Sequence, residues 1–456
     1  MSTNRKLVDP TTMLPPEIFA QILEGLDHES LLAAEQVSWA WRRSARSKHV
    51  WREVFLKRYK PEVHVDPVPV QMGGTGIGGE TTPSKPWRAM YKARCQIERN
   101  WSKGANGPAA VYFSGHTDSV YCCQFDEDKI ITGSRDRTIR VWDINSYRCL
   151  KVIGGPRARP VRPANDQVLE THPVATIWDT LNLNGTPEGD SLYHIPASYH
   201  EQSILCLMFD DEIMVTGSSD STCIVWDVKT FEPIWRLRQH TAGVLDVAFD
   251  AEHIISCSKD ATICVWSRRT GQFLKCLTGH RGPVNAVQLR GRQLVSASGD
   301  GVAKLWDVET GAVLREFQSR DRGLAAVEFS DDARHVLAGG NDQVIYKYDA
   351  DSARLEHTYT GHTGLVRSLF LDTANDRVLS GSYDQGMRVY EFRSGRQIAE
   401  FNDWTTSWIL AAKCDYRRIV CTSQDGRALL MDFGKGVPDV ELLRRKPLRA
   451  DSLAVG

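Results

Sequence analysis

The chain has 456 residues, of which 41% are hydrophobic and 25% charged, and its formal net charge is -1. That length exceeds the roughly 250–300 residues at which a single core stops growing, so a large closed architecture or several domains is expected. Near-neutral charge gives no global attraction to nucleic acid or to an acidic membrane, and neither a leader nor an apolar run near ~20 residues stands out, so an intracellular protein of the cytoplasm or nucleus is expected. The 11 cysteines include no Cys-x-x-Cys pair. Cys122, Cys206, Cys223 and Cys264 sit in apolar, strand-like runs and read as reduced core thiols, so no metal or other cofactor is expected.

Residues 1–13 read as a flexible N-terminus. From 14 to 60 apolar residues recur at intervals of three and four, as in Ile18, Ile22, Leu23 and Leu26 and then Leu31, Leu32, Ala34, Val37 and Trp41, which is the period of short amphipathic helices. Pro15 and Pro16 suit a helix start and Asp27 can cap the next helix. The opening LPPEI, the Leu-Asp pair before the second helix, the V…W inside it and the Val-Trp further on resemble an F-box along the whole segment. The resemblance implies docking on the Skp1 adaptor, and through it on a cullin/RING ubiquitin ligase, by exposed apolar residues. Carried over, these are Leu14, Pro15, Ile18, Leu31, Val37 and Trp41, with packing of the small domain itself as the alternative for each.

Residues 61–86 are rich in Pro and Gly and read as a mobile linker. Within it GTGIGG at 74–79 matches a nucleotide-binding fingerprint in letters, but no strand precedes it and no helix opens on it. Residues 87–106 place Trp87, Met90, Tyr91, Ile97 and Trp101 on one helical stripe, which resembles the stalk helix ahead of the propeller in F-box/WD40 proteins.

Beyond 109 the pattern changes to short alternating runs broken by Gly, Ser, Asp and Asn, which is strand and turn chemistry. Trp142, Trp226, Trp266, Trp306, Tyr348, Tyr390 and Met431 recur at about forty residues, apart from one doubled interval between the first two, and mark seven units. A self-similar period near forty ending in Trp-Asp resembles the WD40 family, which implies a seven-bladed β-propeller over 109–433 and a tail at 434–456. The fold class expected is therefore multidomain, α plus all-β: helical F-box, helical stalk, propeller. The run Ala109–Phe113 is placed to complete the last blade. The doubled interval holds a long segment with a Trp-Asp of its own, TIWDT at 176–180; its six prolines between 154 and 198 argue for a surface insertion over an eighth blade. Whether RCLKVI or SLYHI supplies the outer strand of the first blade is left open.

His116 precedes Asp136 by 20 residues, and the same separation links His200 to Asp220, His240 to Asp260 and His280 to Asp300; His362 and Asp384 make a fifth pair. An acid–base site needs one such pair, so five identify framework rather than catalysis. The WD40 resemblance implies a hydrogen-bonded set in each blade, made in the first by His116, Asp136, Thr132 and Trp142. Arg320 and Ala338 break it in the fifth blade and Cys421 in the seventh, which are expected to be the least rigid.

The two modules together resemble SCF substrate receptors of the beta-transducin-repeat-containing and fungal Cdc4-like group. The resemblance implies a non-enzymatic subunit that captures a protein, expected to be phosphorylated, on the rim where each turn Asp meets the start of a first strand. Candidate substrate-binding residues at those positions are Tyr121, Arg135, Ser219, Lys259, Asn285, Arg367 and Tyr383. Arg135 and Arg367 carry guanidiniums able to fork onto phosphate oxygens, against the alternative of ordinary solvated arginines. The short run ahead of Leu14 gives no evidence for a dimerisation segment. A WD40 scaffold outside ubiquitination is the competing reading.

Overall fold

A computed structural model describes residues 9–60, 72–79, 84–154, 177–181, 193, 194, 196, 198–320 and 323–445. Five helices come first: α1 (Pro10–Met13), α2 (Pro16–Glu24), α3 (His28–Ala34), α4 (Trp39–Ala45) and α5 (Lys48–Tyr59). Asp27 caps α3 by accepting from the Ser30 N–H at 2.8 Å, and Ser38 caps α4 by accepting from that of Trp41. Phe19, Leu23, Leu31, Trp51 and Phe55 fill the small core. The expected flexible N-terminus is corrected from residue 9 onward. Asp9 accepts from the Trp41 Nε1–H at 2.9 Å and caps α1, while residues 1–8 lie outside the described residues.

Helix α6 (Trp87–Ser102) runs for 16 residues, about 24 Å at 1.5 Å per residue, and buries its whole predicted stripe. It does not stand clear as a stalk. Tyr91 packs against Trp51 of α5 at 5.3 Å, and at the far end Trp101 stacks on Phe433 at 3.9 Å, so one continuous core runs from α2 into the last blade.

The mobile-linker expectation fails for 72–79; residues 61–71 and 80–83 of that segment lie outside the described residues. The Gly73 N–H donates to the Phe125 carbonyl and the Gly78 N–H to that of Leu443, tying this strap to the propeller. Gly76 has φ +69°, and a Cβ there would lie 2.1 Å from Arg94 Nη1, so its glycine is set by close approach and not by a phosphate. Residues 434–445 likewise do not form a free tail: Val437, Val440 and Leu443 are buried against the same core.

Seven sheets follow among the described residues, with the four blade strands in sequence order in blades one to six. Blade one is Val120–Phe125, Lys129–Ser134, Ile139–Asp143 and Cys149–Ile153. Blades two to six begin at Ile204–Phe209, Val244–Phe249, Val284–Arg290, Leu324–Phe329 and Val366–Asp372. Blade seven joins Ile409–Cys414, Arg418–Ser423 and Ala428–Asp432 to Ala109–Ser114, which pairs antiparallel with Ala428–Asp432 and closes the ring. Radial repetition leaves each blade only a short inner and a short outer edge.

The open choice at blade one resolves to the RCLKVI run, since Cys149–Ile153 is the outer strand. Tyr193–His194 adds a short fifth strand parallel to it, and Ile177–Leu181, the Trp-Asp decoy, adds one parallel to Ala109–Ser114. The insertion thus borders two blades and builds no sheet of its own among the described residues. Residues 155–176 and 182–192 lie outside them.

Candidate functional site

Each complete blade carries one chain of hydrogen bonds. In blade one the Trp142 Nε1–H donates to Thr132 Oγ1 at 2.9 Å, Thr132 Oγ1 meets His116 Nε2 at 2.8 Å, and His116 Nδ1 meets Asp136 Oδ2 at 2.8 Å. Burial pushes His116 below the ordinary histidine pKa, so the ring is neutral: Nδ1–H donates to Asp136 and Nε2 accepts from Thr132. Burial alone would raise the Asp136 pKa, but His116 and Thr138 overcome it and hold the carboxyl well below the usual range. The other four pairs, His200–Asp220, His240–Asp260, His280–Asp300 and His362–Asp384, lie at 2.8–3.0 Å. Blades five and seven keep partners for their turn carboxylates by other means. The Tyr346 hydroxyl donates to Asp342, and Ser423 and Thr406 donate to Asp425.

These chains fix the turns on one face, the upper face. The residue before each turn Asp donates its backbone N–H to a carbonyl just ahead of the blade's first strand: Arg135 to Ser119, Ser219 to Ser203, Lys259 to Gly243, Gly299 to Pro283, Asn341 to Gly323, Tyr383 to Leu365 and Gln424 to Trp408. Backbone is constant there and the side chain is free to vary.

A second repeated device was not visible in the sequence. Every first strand pairs out of step with the second after its first residue, leaving one bulged residue unpaired: Tyr121, Leu205, Leu245, Asn285, Ala325, Arg367 and Leu410. A bulge re-aims a side chain, and all seven line the upper part of the central cavity, about 400 Å³ in volume. The ring they form holds one guanidinium, one carboxamide and one phenol among apolar groups. Three residues deeper a ring of Gln124, Met208, Ala248, Gln288, Glu328, Phe370 and Lys413 follows. There Lys413 Nζ approaches Glu328 at 3.5 Å, and burial nonetheless raises the Glu328 pKa.

The structure therefore divides the candidate substrate residues. Tyr121, Asn285 and Arg367 share the cavity wall. Arg367 Nη1–H donates to the Ala325 carbonyl at 3.4 Å and Asn285 to that of Leu324 at 2.6 Å. Arg135, Ser219, Lys259 and Tyr383 lie on the surrounding turns, outside that wall. Arg135 is 59% exposed and stands 3.7 Å from Asp118. Tyr383 stacks on the exposed Trp408 at 4.4 Å, a partner that sequence reasoning missed because the position ahead of the first strand holds no aromatic residue in the other six blades.

The F-box candidates divide too. Pro15, Ile18 and Val37 are exposed, Leu14 and Trp41 are half-buried against the domain core, and Leu31 is fully buried. Leu31 is corrected to a packing residue. Its neighbour Leu32 faces out instead, as do Ile22, Met13 and Trp39, the last 83% exposed. Two adjacent leucines both satisfy a helical period, so the pattern could not say which one faced in.

The F-box-like family model matches residues 12–57, and the WD domain, G-beta repeat model matches 108–143, 192–227, 231–267, 271–307 and 353–391. The chain joins an F-box-like domain to WD40 repeats. The five matched segments take in blades one to four and six, the blades that carry the His–Asp pairs. Among its relatives is the probable E3 ubiquitin ligase complex SCF subunit sconB of Arthroderma benhamiae, 32% identical over 166 residues, which cover 32% of this chain and 25% of that protein. The F-box and WD repeat domain-containing 11-A of Danio rerio is 31% identical over 152 residues, covering 30% and 26%, and the F-box/WD repeat-containing protein 7 of Drosophila melanogaster is 30% identical over 149 residues, covering 32% and 11%. The matched stretch thus spans about a quarter or less of the length of these curated relatives. The solved WD40 β-propeller domain of Doa1 superposes with a TM-score of 0.55 at 19% identity, covering 70% of this chain and 95% of that one, a likeness of fold. Among the described residues no helix is long and apolar enough to cross a membrane, and no cluster of three metal-ligating side chains is present.

Proposed function

We propose that this chain is the substrate-recognition subunit of an SCF-type E3 ubiquitin ligase and carries no catalytic residue of its own. Its contribution is proximity. An adaptor held at one end and a protein held at the other turn ubiquitin transfer from a bimolecular encounter into a positioned one. The observation that carries this reading is the pair of surfaces on one packed unit. The F-box exposes the apolar side chains of Met13, Ile18, Ile22, Val37 and Trp39, and the bulged ring opens at the opposite end of the first strands from the F-box contact.

The exposed F-box face takes the Skp1 adaptor, with Pro15, Ile18 and Val37 at its centre and Leu14 and Trp41 shaping it from beneath. On the upper face the capture of a phosphorylated segment is assigned to Arg367, the guanidinium of the ring, with Tyr121 and Asn285 beside it. Arg135, Ser219, Lys259 and Tyr383 contact flanking residues. The test has two arms. V37D should abolish co-purification with recombinant Skp1 while leaving the propeller folded, and R367E should abolish binding of phosphorylated peptides while leaving Skp1 binding intact. A native chain that fails to bind purified Skp1 would favour the scaffold reading, and unchanged peptide affinity in R367E would remove the phosphate role.

A further inference from the structure

Where the third strand of a blade meets its outer strand, one register position holds a cross-strand pair. In blade four it is Lys304 opposite Glu316 and in blade six Arg388 opposite Glu400, ion pairs that fasten the outer strand to the blade. In blade three the same position holds two thiols, Cys264 opposite Cys276, on Ile263–Ser267 and Phe273–Leu277.

Directly opposed residues on antiparallel strands have Cα atoms about 4.5–5.5 Å apart, inside the span a disulfide bridges without backbone movement. The two sulfurs differ in access. Cys276 is exposed and Cys264 is buried, with its thiol against His240 Nδ1 at 3.8 Å. Of the 11 cysteines, all of them free thiols, Cys276 is the exposed one, and its neighbour across the ladder is another cysteine.

We propose that Cys264 and Cys276 form a reversible disulfide, driven by a peroxide, that fastens the outer strand of blade three. A peroxide oxidises the exposed Cys276: its sulfur gains oxygen as the O–O bond breaks, giving a sulfenic acid and water. The Cys264 sulfur then attacks that of Cys276, the S–O bond breaks, and the hydroxide leaves as a second water with the thiol proton. Two thiols are oxidised by two electrons and one peroxide is reduced. His240 is not the base in this step, because its Nδ1–H is already committed to Asp260. A pair of this kind in a reducing compartment is a sensor rather than a permanent cross-link. The inference stands apart from the ubiquitin-ligase reading and survives its failure.

The full chain is treated with hydrogen peroxide, its remaining thiols are alkylated, and it is digested with trypsin without reduction. Arg268 and Lys275 lie between the two cysteines, so they fall in separate peptides. One linked pair of peptides that dithiothreitol splits is expected, absent from C276S, an exposed and therefore structurally tolerant variant. Recovery of Cys276 as sulfinic acid, or joined to a second molecule, with Cys264 still a free thiol, would overturn the proposal. Slower amide exchange across 273–277 after oxidation, reversed by dithiothreitol, is the second expected result, and equal rates before and after would refute the fastening.

Discussion

The two ends of the propeller are built from the same hairpins and put them to opposite use. At the lower end, where the first and second strands turn, variation is consumed by packing. Trp101 stacks on Phe433, and the Arg94 guanidinium lies between the Tyr59 ring of α5 and the Tyr416 ring of blade seven, at 4.4 and 4.7 Å. Arg94 also donates to Thr75 of the strap and to Asn375 of blade six, so one side chain joins helices, strap and propeller. At the upper end the backbone is pinned by the His–Asp chains and the side chains point into solvent or into the cavity. Where variable residues are packed they are structural. Where a fixed backbone carries them outward they are available for recognition.

Trp101→Ala is the most direct attack on that comparison: it should cost about 3–5 kcal/mol in chemical denaturation, because it empties a stacked, buried site. Arg135→Glu on the upper face should stay within about 0.5 kcal/mol of the native chain. Equal losses would show that the two ends do not differ. In the F-box, Leu31→Ala should cost about 2–5 kcal/mol, whereas Val37→Asp should leave the melting temperature in place and remove only adaptor binding. Asp136→Ala strands a buried imidazole and the Thr138 hydroxyl and should cost about 1–3 kcal/mol by the same denaturation measurement.

Stability should also follow pH through the framework. The folded pKa of His116 is depressed, so between the ordinary histidine value near ~6.5 and that lower value the unfolded chain binds more protons. Its contribution is therefore complete above ~6.5 and is lost as pH falls below it. The carboxyls of Asp136, Asp220 and Asp384 are held low, and theirs persists until pH drops beneath ~4. Asp415 opposes this, its carboxyl pushed up to about 7 by burial. The clean measurement is the melting temperature from pH 7.5 to 5.5 in the native chain against H116Q, whose drop should be smaller. Within the framework the smallest loss expected is that of Tyr346→Phe, about 1 kcal/mol, because it removes the hydroxyl that replaces histidine for Asp342 in blade five.

The framework was legible because it repeats. Five His–Asp pairs at near-constant spacing leave little room for another reading, and the apolar run at 109–113 had no partner but the last blade. What stayed hidden was set by contacts distant in sequence. Composition marked 72–79 as neither helix nor strand, which says nothing about whether it is packed, so a strap was read as a mobile linker. Leu31 and Leu32 offered the same letter to opposite sides of one helix. The seven bulges left no trace, since one extra residue in a short strand is invisible when neighbouring positions are also apolar. Of the candidate substrate residues, Tyr121, Asn285 and Arg367 proved to share a wall, and Arg135, the most conspicuous in the sequence, proved to stand outside it beside a carboxylate.

Those bulges also bear on how such a surface changes over generations. An unpaired residue contributes no rung to the ladder, so exchanging it leaves strand register, ring closure and the turn below untouched. Seven such positions face one another around a common axis. A single-nucleotide change at any of them alters the lining of the mouth with little cost to foldability, which makes the ring a small combinatorial library mounted on a repeated frame.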